Sequence, residues 1–170
     1  MKKIILSSLM LIVILFTAEA QVYPSAVGLR GNVGNYGIGP ELSYRHGIGD
    51  INRAEVGIGF GADNNFTRIG VTGAFHWVGE VNSGFSWYAG PGIQGWLYSF
   101  NKGFNNKNVL INNGSAIGGA VGAQIGVEYD FKEDLDLPFT ASIDSRPMFN
   151  FVNYYSGFEF SVGVSIHYTF

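Results

Sequence analysis

Hydrophobic residues fall on every second position through most of the chain, and the alternation divides it into eight segments. From Tyr36 to His46, residues Tyr36, Ile38, Leu42 and Tyr44 share one parity, and Gly37, Gly39, Glu41, Ser43 and Arg45 the other. Ala54, Val56, Ile58 and Phe60 stand against Glu55, Gly57, Gly59 and Gly61, and Ile69, Val71, Phe75 and Trp77 against Arg68, Thr72 and His76. The pattern continues over Phe85–Tyr98, Ser115–Asp130 and Phe139–Arg146. It is cleanest at the end, where Phe158, Phe160, Val162, Val164, Ile166, Tyr168 and Phe170 oppose Glu159, Ser161, Ser165, His167 and Thr169. A shorter first segment, Ser25–Gly31, sets Val27 and Leu29 opposite Arg30. Period two is the signature of a strand with two unlike faces, and no segment of this region shows the helical period. The spacing predicts eight antiparallel strands.

The polar face decides what kind of barrel they form. A soluble barrel turns a charged face to water and keeps its apolar face inside. Here the polar face is mostly Gly, Ser and Thr with one or two charges per strand, and no lysine lies in any of the eight segments. So uncharged a face suits a narrow interior, which turns the large residues outward into lipid. A charge on the lipid face costs about 2–4 kcal/mol at mid-bilayer, and a slip of one residue would turn Glu55, Arg68 or Glu128 outward. The expected fold is all-β, an eight-stranded antiparallel up-and-down transmembrane β-barrel.

The first twenty residues do not fit this pattern. Lys2 and Lys3 precede an apolar run, Ile4–Phe16, and Ala18-Glu19-Ala20 supplies small residues around a cleavage point. The run is shorter than the roughly 20 residues of a spanning helix, and the arrangement is that of a secretory signal peptide. The expected organisation is a cleaved segment, 1–20, and a barrel, 21–170. Cleavage would leave 8 basic and 12 acidic side chains, net −4, which gives no electrostatic reason to bind nucleic acid. Only 14% of the residues are charged, against about 25% in soluble domains, and 25 of 170 are Gly. With no cysteine, a disulfide scaffold, a thiol nucleophile and a Cys-ligated zinc site are excluded.

With both termini at the periplasmic end, the periplasmic turns are Gly47–Arg53, Val78–Gly84 and Lys132–Pro138. The outer connections are then Asn32–Asn35, Ala62–Asn65, Ser99–Gly114 and Pro147–Gly157. The last two exceed what a hairpin needs, and long loops on rigid scaffolds tend to carry function. Their candidate interaction residues are Lys102, Phe104, Lys107, Phe149, Phe151, Tyr154 and Tyr155. Tyr44, Trp77, Trp87, Tyr129, Phe139 and Tyr168 are placed as a periplasmic aromatic girdle. Arg30, Glu41, Arg45, Glu55, Arg68, Glu128, Asp144, Arg146 and Glu159 point inward. Eight strands enclose a space just wide enough for side chains, so these groups are expected to pair as a polar plug. A narrow channel for ions or very small solutes is the alternative.

Glycines 118, 122 and 126 read as room inside a barrel, and no Gly-rich phosphate loop or nucleophile elbow is present. The signal segment, the eight strands and the closing stretch Ser161–Phe170 resemble the small Gram-negative outer-membrane β-barrels, porin-like relatives of the OmpA/OmpX type. That resemblance implies outer-membrane localisation, contact with outer-membrane lipid and passage through the barrel-assembly machinery. It also implies that Tyr168 and Phe170 form the C-terminal assembly signal. Some such barrels edit lipids with an outer-leaflet histidine, whereas His46, His76 and His167 here fall at the periplasmic ends of their strands. The expectation is a non-enzymatic structural or interaction protein, without cofactor or metal, that meets a protein partner through its outer loops.

Overall fold

The computed structural model describes residues 25–170 apart from positions 36, 50, 65, 101–103, 107–108, 112–113 and 152–155. In chain order the elements are β1 (Ala26–Gly34), β2 (Gly37–Ile48), β3 (Asn52–Ala62), β4 (Phe66–Asn82) and β5 (Phe85–Phe100). There follow the short β6 (Phe104–Asn106) and β7 (Val109–Ile111), then β8 (Ser115–Asp130), a single helical turn α1 (Lys132–Leu135), β9 (Phe139–Phe151) and β10 (Ser156–Thr169). The eight long strands close into an antiparallel barrel in the order β1-β10-β9-β8-β5-β4-β3-β2, and β6 and β7 pair only with each other. The chain ends seal it: Leu29 lies opposite Ile166, and the Phe170 N–H donates to the Ser25 carbonyl at 2.9 Å. This is the expected fold, and closure leaves no edge of the barrel sheet unpaired.

The alternation sorts side chains as the sequence implies. Leu29, Ile58, Val71, Ile93, Ile125 and Val164 point outward and are each more than half exposed. Such continuous apolar surface would make a soluble protein aggregate; around a closed barrel it is the surface that lipid covers. At the end that carries both termini, Trp77, Trp87, Phe139, Tyr168 and Phe170 stand outward as well, with Phe139 packed edge-on against Tyr168 at 5.5 Å.

Three prolines lie inside strands, where each lacks the N–H a ladder needs. Each sits where one of its two ladders is interrupted. The β2–β3 pairing skips from Ile38–Ala62 to Glu41–Gly59, passing over Pro40. The β4–β5 pairing skips from Ala74–Gly92 to Trp77–Ala89, passing over Pro91. The β8–β9 pairing skips from Gly122–Met148 to Ile125–Ser145, passing over Pro147. Glycine lines each gap: a Cβ at Gly39, Gly90 or Gly122 would fall within 1.7–2.1 Å of the carbonyl oxygen of Phe60, Phe75 or Pro147.

Several boundaries differ from the sequence reading. Asn32–Gly34 belongs to β1, and Arg53 and Glu80 lie in β3 and β4 rather than in turns. Pro147 does not open a loop, because the interrupted β8–β9 ladder accommodates it while β9 continues to Phe151. Phe149 and Phe151 are therefore strand residues, opposite Phe158 and Ser156, and point outward. Of the other outer-loop candidates, Phe104 lies in β6. Lys102, Lys107, Tyr154 and Tyr155, like the signal segment 1–20, lie outside the described residues.

Candidate functional site

The barrel interior gathers the chain's buried chemistry. All nine inward charges read from the sequence are there, together with Arg53, and the ten are between 1 and 6% exposed. Five arginines thus meet five carboxylates. Six of them form a line of alternating sign: Glu41, Arg146, Glu55, Arg45, Glu128, Arg53. Arg146 Nη1 donates to Glu41 at 2.8 Å and its Nη2 to Glu55 at 3.0 Å. Arg45 Nε donates to Glu55 at 2.7 Å, and Glu128 accepts from both Arg45 and Arg53, the latter at 2.7 Å. The other four stand as separate pairs. Arg30 holds Asp144 through Nε and Nη2, the shortest contact 2.7 Å. Arg68 Nη2 meets Glu159 at 2.8 Å, which also accepts from Asn150. Equal numbers are what burial demands, since an unpaired ion in this space costs several kcal/mol.

Aromatic side chains complete the filling. Tyr88 is fully buried, with the Arg53 guanidinium 4.5 Å from its ring centre. At the far end, away from the termini, Phe66, Trp96, Tyr98 and Phe100 form an inward apolar cluster. Phe66 meets Tyr98 edge-on at 5.5 Å, and Arg68 lies over the Trp96 ring at 4.2 Å. The inward set read from the sequence contains no aromatic residue, so this cap is an addition to that reading. Glycines on neighbouring strands make the room: a Cβ at Gly70 would meet the Trp96 ring at 2.6 Å, and one at Gly126 the Tyr88 ring at 2.5 Å.

The three histidines lie toward the termini end. His76 and His167 point inward and are buried, whereas His46 sits half-buried with its Nδ1 3.0 Å from the Ser25 hydroxyl. Ser43 Oγ and His167 Nε2 are 2.8 Å apart, the first half of a nucleophile–base arrangement. A working pair needs a third group to orient the base and space for a substrate. His167 Nδ1 has no hydrogen-bond partner among the described residues, and both side chains are almost wholly enclosed. The pair reads as part of the polar filling.

The two barrel ends differ. At the termini end a vestibule of about 520 Å³ opens between the strand ends, with Arg45, Arg53 and Glu128 in its wall and Glu80, Asp130 and Glu133 among its lining residues. At the far end the aromatic cluster packs across the bore, beside a cavity of about 580 Å³ whose lining includes Thr67, Arg68, Tyr98 and Ser115.

No family model and no curated protein sequence matches the chain. Its structure is similar to the N-terminal β-barrel domain of Pseudomonas aeruginosa OprF, with a TM-score of 0.64 and 15% identity over 88% of this chain and 98% of that one. It is also similar to Neisserial surface protein A, with a TM-score of 0.59 and 13% identity over 87% and 97%. At these identities the likeness is one of architecture: the chain has the fold of the small eight-stranded outer-membrane β-barrels.

Proposed function

We propose that the protein is a non-enzymatic barrel of the bacterial outer membrane with a closed interior, acting as a structural or interaction protein through its outer loops. The observation that carries this reading is the filled interior: ten paired charges along the bore and an aromatic cluster across the far end. With the interior occupied, contact with other molecules falls to the surfaces at the barrel ends. The long third connection, rich in Asn and carrying Lys102 and Lys107, is the main candidate. Secretion by way of residues 1–20 and assembly through Tyr168 and Phe170 belong to the same proposal.

Planar-bilayer recording on the refolded barrel tests the closed interior, with no steady conductance expected. Deletion of residues 101–112 tests the loop. The barrel should still fold, and cross-links from native membranes to a specific protein should vanish. Steady conductance in the intact barrel would instead support a narrow channel for ions or very small solutes. The vestibule favours that second reading, because it opens the termini end of the bore as far as Arg45, Arg53 and Glu128.

A further inference from the structure

One sector of the outer surface is not a smooth apolar wall. On β4, β5 and β8 the outward residues stand in register, as rows that run across the three strands. Nearest the far end, Thr67 lies opposite Ser99 and Ser99 opposite Ser115. Ile69, Leu97 and Ile117 form the next row, and Val71, Gly95 and Gly119 the one after. The three hydroxyl residues are all exposed. Residues directly opposed on neighbouring strands have Cβ atoms about 4.5–5.5 Å apart, so the hydroxyls line up over roughly 10 Å.

Two hollows share this sector. The cavity of about 580 Å³ is walled by the hydroxyl row and the aliphatic row together with Phe60 of β3, all of them exposed outward residues, so it opens on the lipid face. A second, of about 390 Å³, shares Ile69, Leu97 and Ile117 with it and continues past Val71 to Gly95. Gly95 makes the floor, while the Phe151 ring, 2.7 Å from where a Cβ at Gly119 would sit, closes the side toward β9. From the hydroxyl row to Gly95 is four residues, about 13 Å along the strand. At a tilt of about 40° that is roughly 10 Å of depth, less than half of the roughly 30 Å hydrocarbon core. The hollow therefore stays within one leaflet.

We propose that this sector holds one acylated lipid of the far-end leaflet, with its ester carbonyls accepting from Thr67, Ser99 and Ser115 and one acyl chain lying down the hollow to Gly95. The site rests on the outer-membrane reading above, which puts the outward face in lipid. Lipid covers the face that surrounds the hollow, so the occupant comes from the bilayer itself. A hydroxyl at the edge of hydrocarbon needs an acceptor, and an acyl ester carries its carbonyl at the head of the chain that the hollow takes. A second copy of the barrel would lay its own apolar outward residues against the row and leave the three hydroxyls without acceptors.

The test is native mass spectrometry of the whole folded barrel in detergent, titrated with dipalmitoyl phosphatidylethanolamine or with its dihexadecyl ether analogue, which lacks the carbonyls. Saturable binding of one ester lipid is expected, with the ether analogue about threefold to tenfold weaker, the worth of one hydrogen bond. The combined variant Thr67→Val, Ser99→Ala, Ser115→Ala should bind both lipids alike, at the affinity of the ether analogue. A Cβ at Gly95 meets only Val71, at 3.7 Å, so Gly95→Leu fills the floor without disturbing the strand. It should lose at least about tenfold for both lipids, since contact with two methylenes is worth that much. Heat-dependent gel migration would verify that the variants fold. No saturable lipid, equal affinity for ester and ether in the parent barrel, or unchanged affinity in Gly95→Leu would overturn the site, as would a barrel dimer that Gly95→Leu dissociates. Any of these in a barrel that inserts into liposomes overturns the site alone, whereas failure to insert overturns the membrane reading beneath it.

Discussion

Glu55 is the point at which the interior line of charges is most exposed to test. Its Oε2 takes Arg45 Nε at 2.7 Å and its Oε1 takes Arg146 Nη2 at 3.0 Å, and it is 1% exposed. Glu55→Gln preserves the shape and removes one negative charge. The line then breaks into two parts. Glu41 with Arg146 stays neutral, while Arg45, Glu128 and Arg53 are left with two guanidinium groups sharing one carboxylate. Removing one partner from a buried ion pair costs about 3–5 kcal/mol. Here both arginines keep another carboxylate and the glutamine carbonyl accepts one hydrogen bond, so the lower end, about 3 kcal/mol, is expected. Adding Arg45→Gln restores equal charge, so the double variant should be more stable than the sum of the singles by about 0.5–3 kcal/mol, the range for residues in one network. The assay is equilibrium urea unfolding of the lipid-embedded barrel, read by tryptophan fluorescence. Trp77 and Trp87 face outward and Trp96 inward, so the signal reports both surfaces. A loss below about 1 kcal/mol for Glu55→Gln, or strict additivity in the double variant, would refute the reasoning.

The Arg30–Asp144 pair has no second carboxylate among the described contacts, so Asp144→Asn should cost more than Glu55→Gln in the same titration, toward about 5 kcal/mol. Gly90→Ala would set a methyl group 1.8 Å from the Phe75 carbonyl oxygen; backbone must move, and a loss of about 3 kcal/mol or failure to show folded migration on a gel is expected. Val164→Arg places a charge midway along the lipid face of β10, where Val164 is 62% exposed, and should cost about 2–4 kcal/mol in a bilayer. The same substitution at Glu133, on the exposed helical turn, should stay within about 0.5 kcal/mol of the parent.

Most of the fold was legible because one requirement, an apolar outside, shows at every second residue. What failed did so where size or local context hid the phase. Arg53 reads as a turn residue because the apolar alternation begins only at Ala54. Carrying the phase of Glu55 back two residues places it inward, and an interior of four arginines and five carboxylates already lacked one positive charge. Trp96, Tyr98 and Phe100 follow the inward phase of Gly92 and Gln94, but large aromatic residues in a lipid-facing chain suggest the opposite direction. They fit inside because glycines on neighbouring strands leave the space, a relation across strands that no single segment displays. Phe149 and Phe151 read as loop residues because Pro147 looks like a break in the strand. The strand survives there because only the β8–β9 ladder is interrupted at the proline, while the β9–β10 pairing runs through it.

The same filling bears on the choice between a closed barrel and a channel. From the vestibule, a solute must pass Glu128, held by Arg45 and Arg53, then the carboxylates bridged by Arg146, and finally the Phe66, Trp96, Tyr98 and Phe100 cluster. Rotating one arginine from its carboxylate leaves an uncompensated ion in a space whose opposite charges are already in use, at about 3–5 kcal/mol. Moving Trp96 also gives up its contact with Arg68, worth about 2 kcal/mol when desolvated. If both must happen at once, the conducting arrangement lies at least about 5 kcal/mol above the closed one by these two figures, a population near one in several thousand. Recording should therefore show rare, brief openings at most. Trp96→Ala removes only the far-end obstacle and should raise their frequency without making them steady, because the line of ion pairs remains. Steady current in that variant would place the barrier in the aromatic cap alone and assign the paired charges to stability rather than closure.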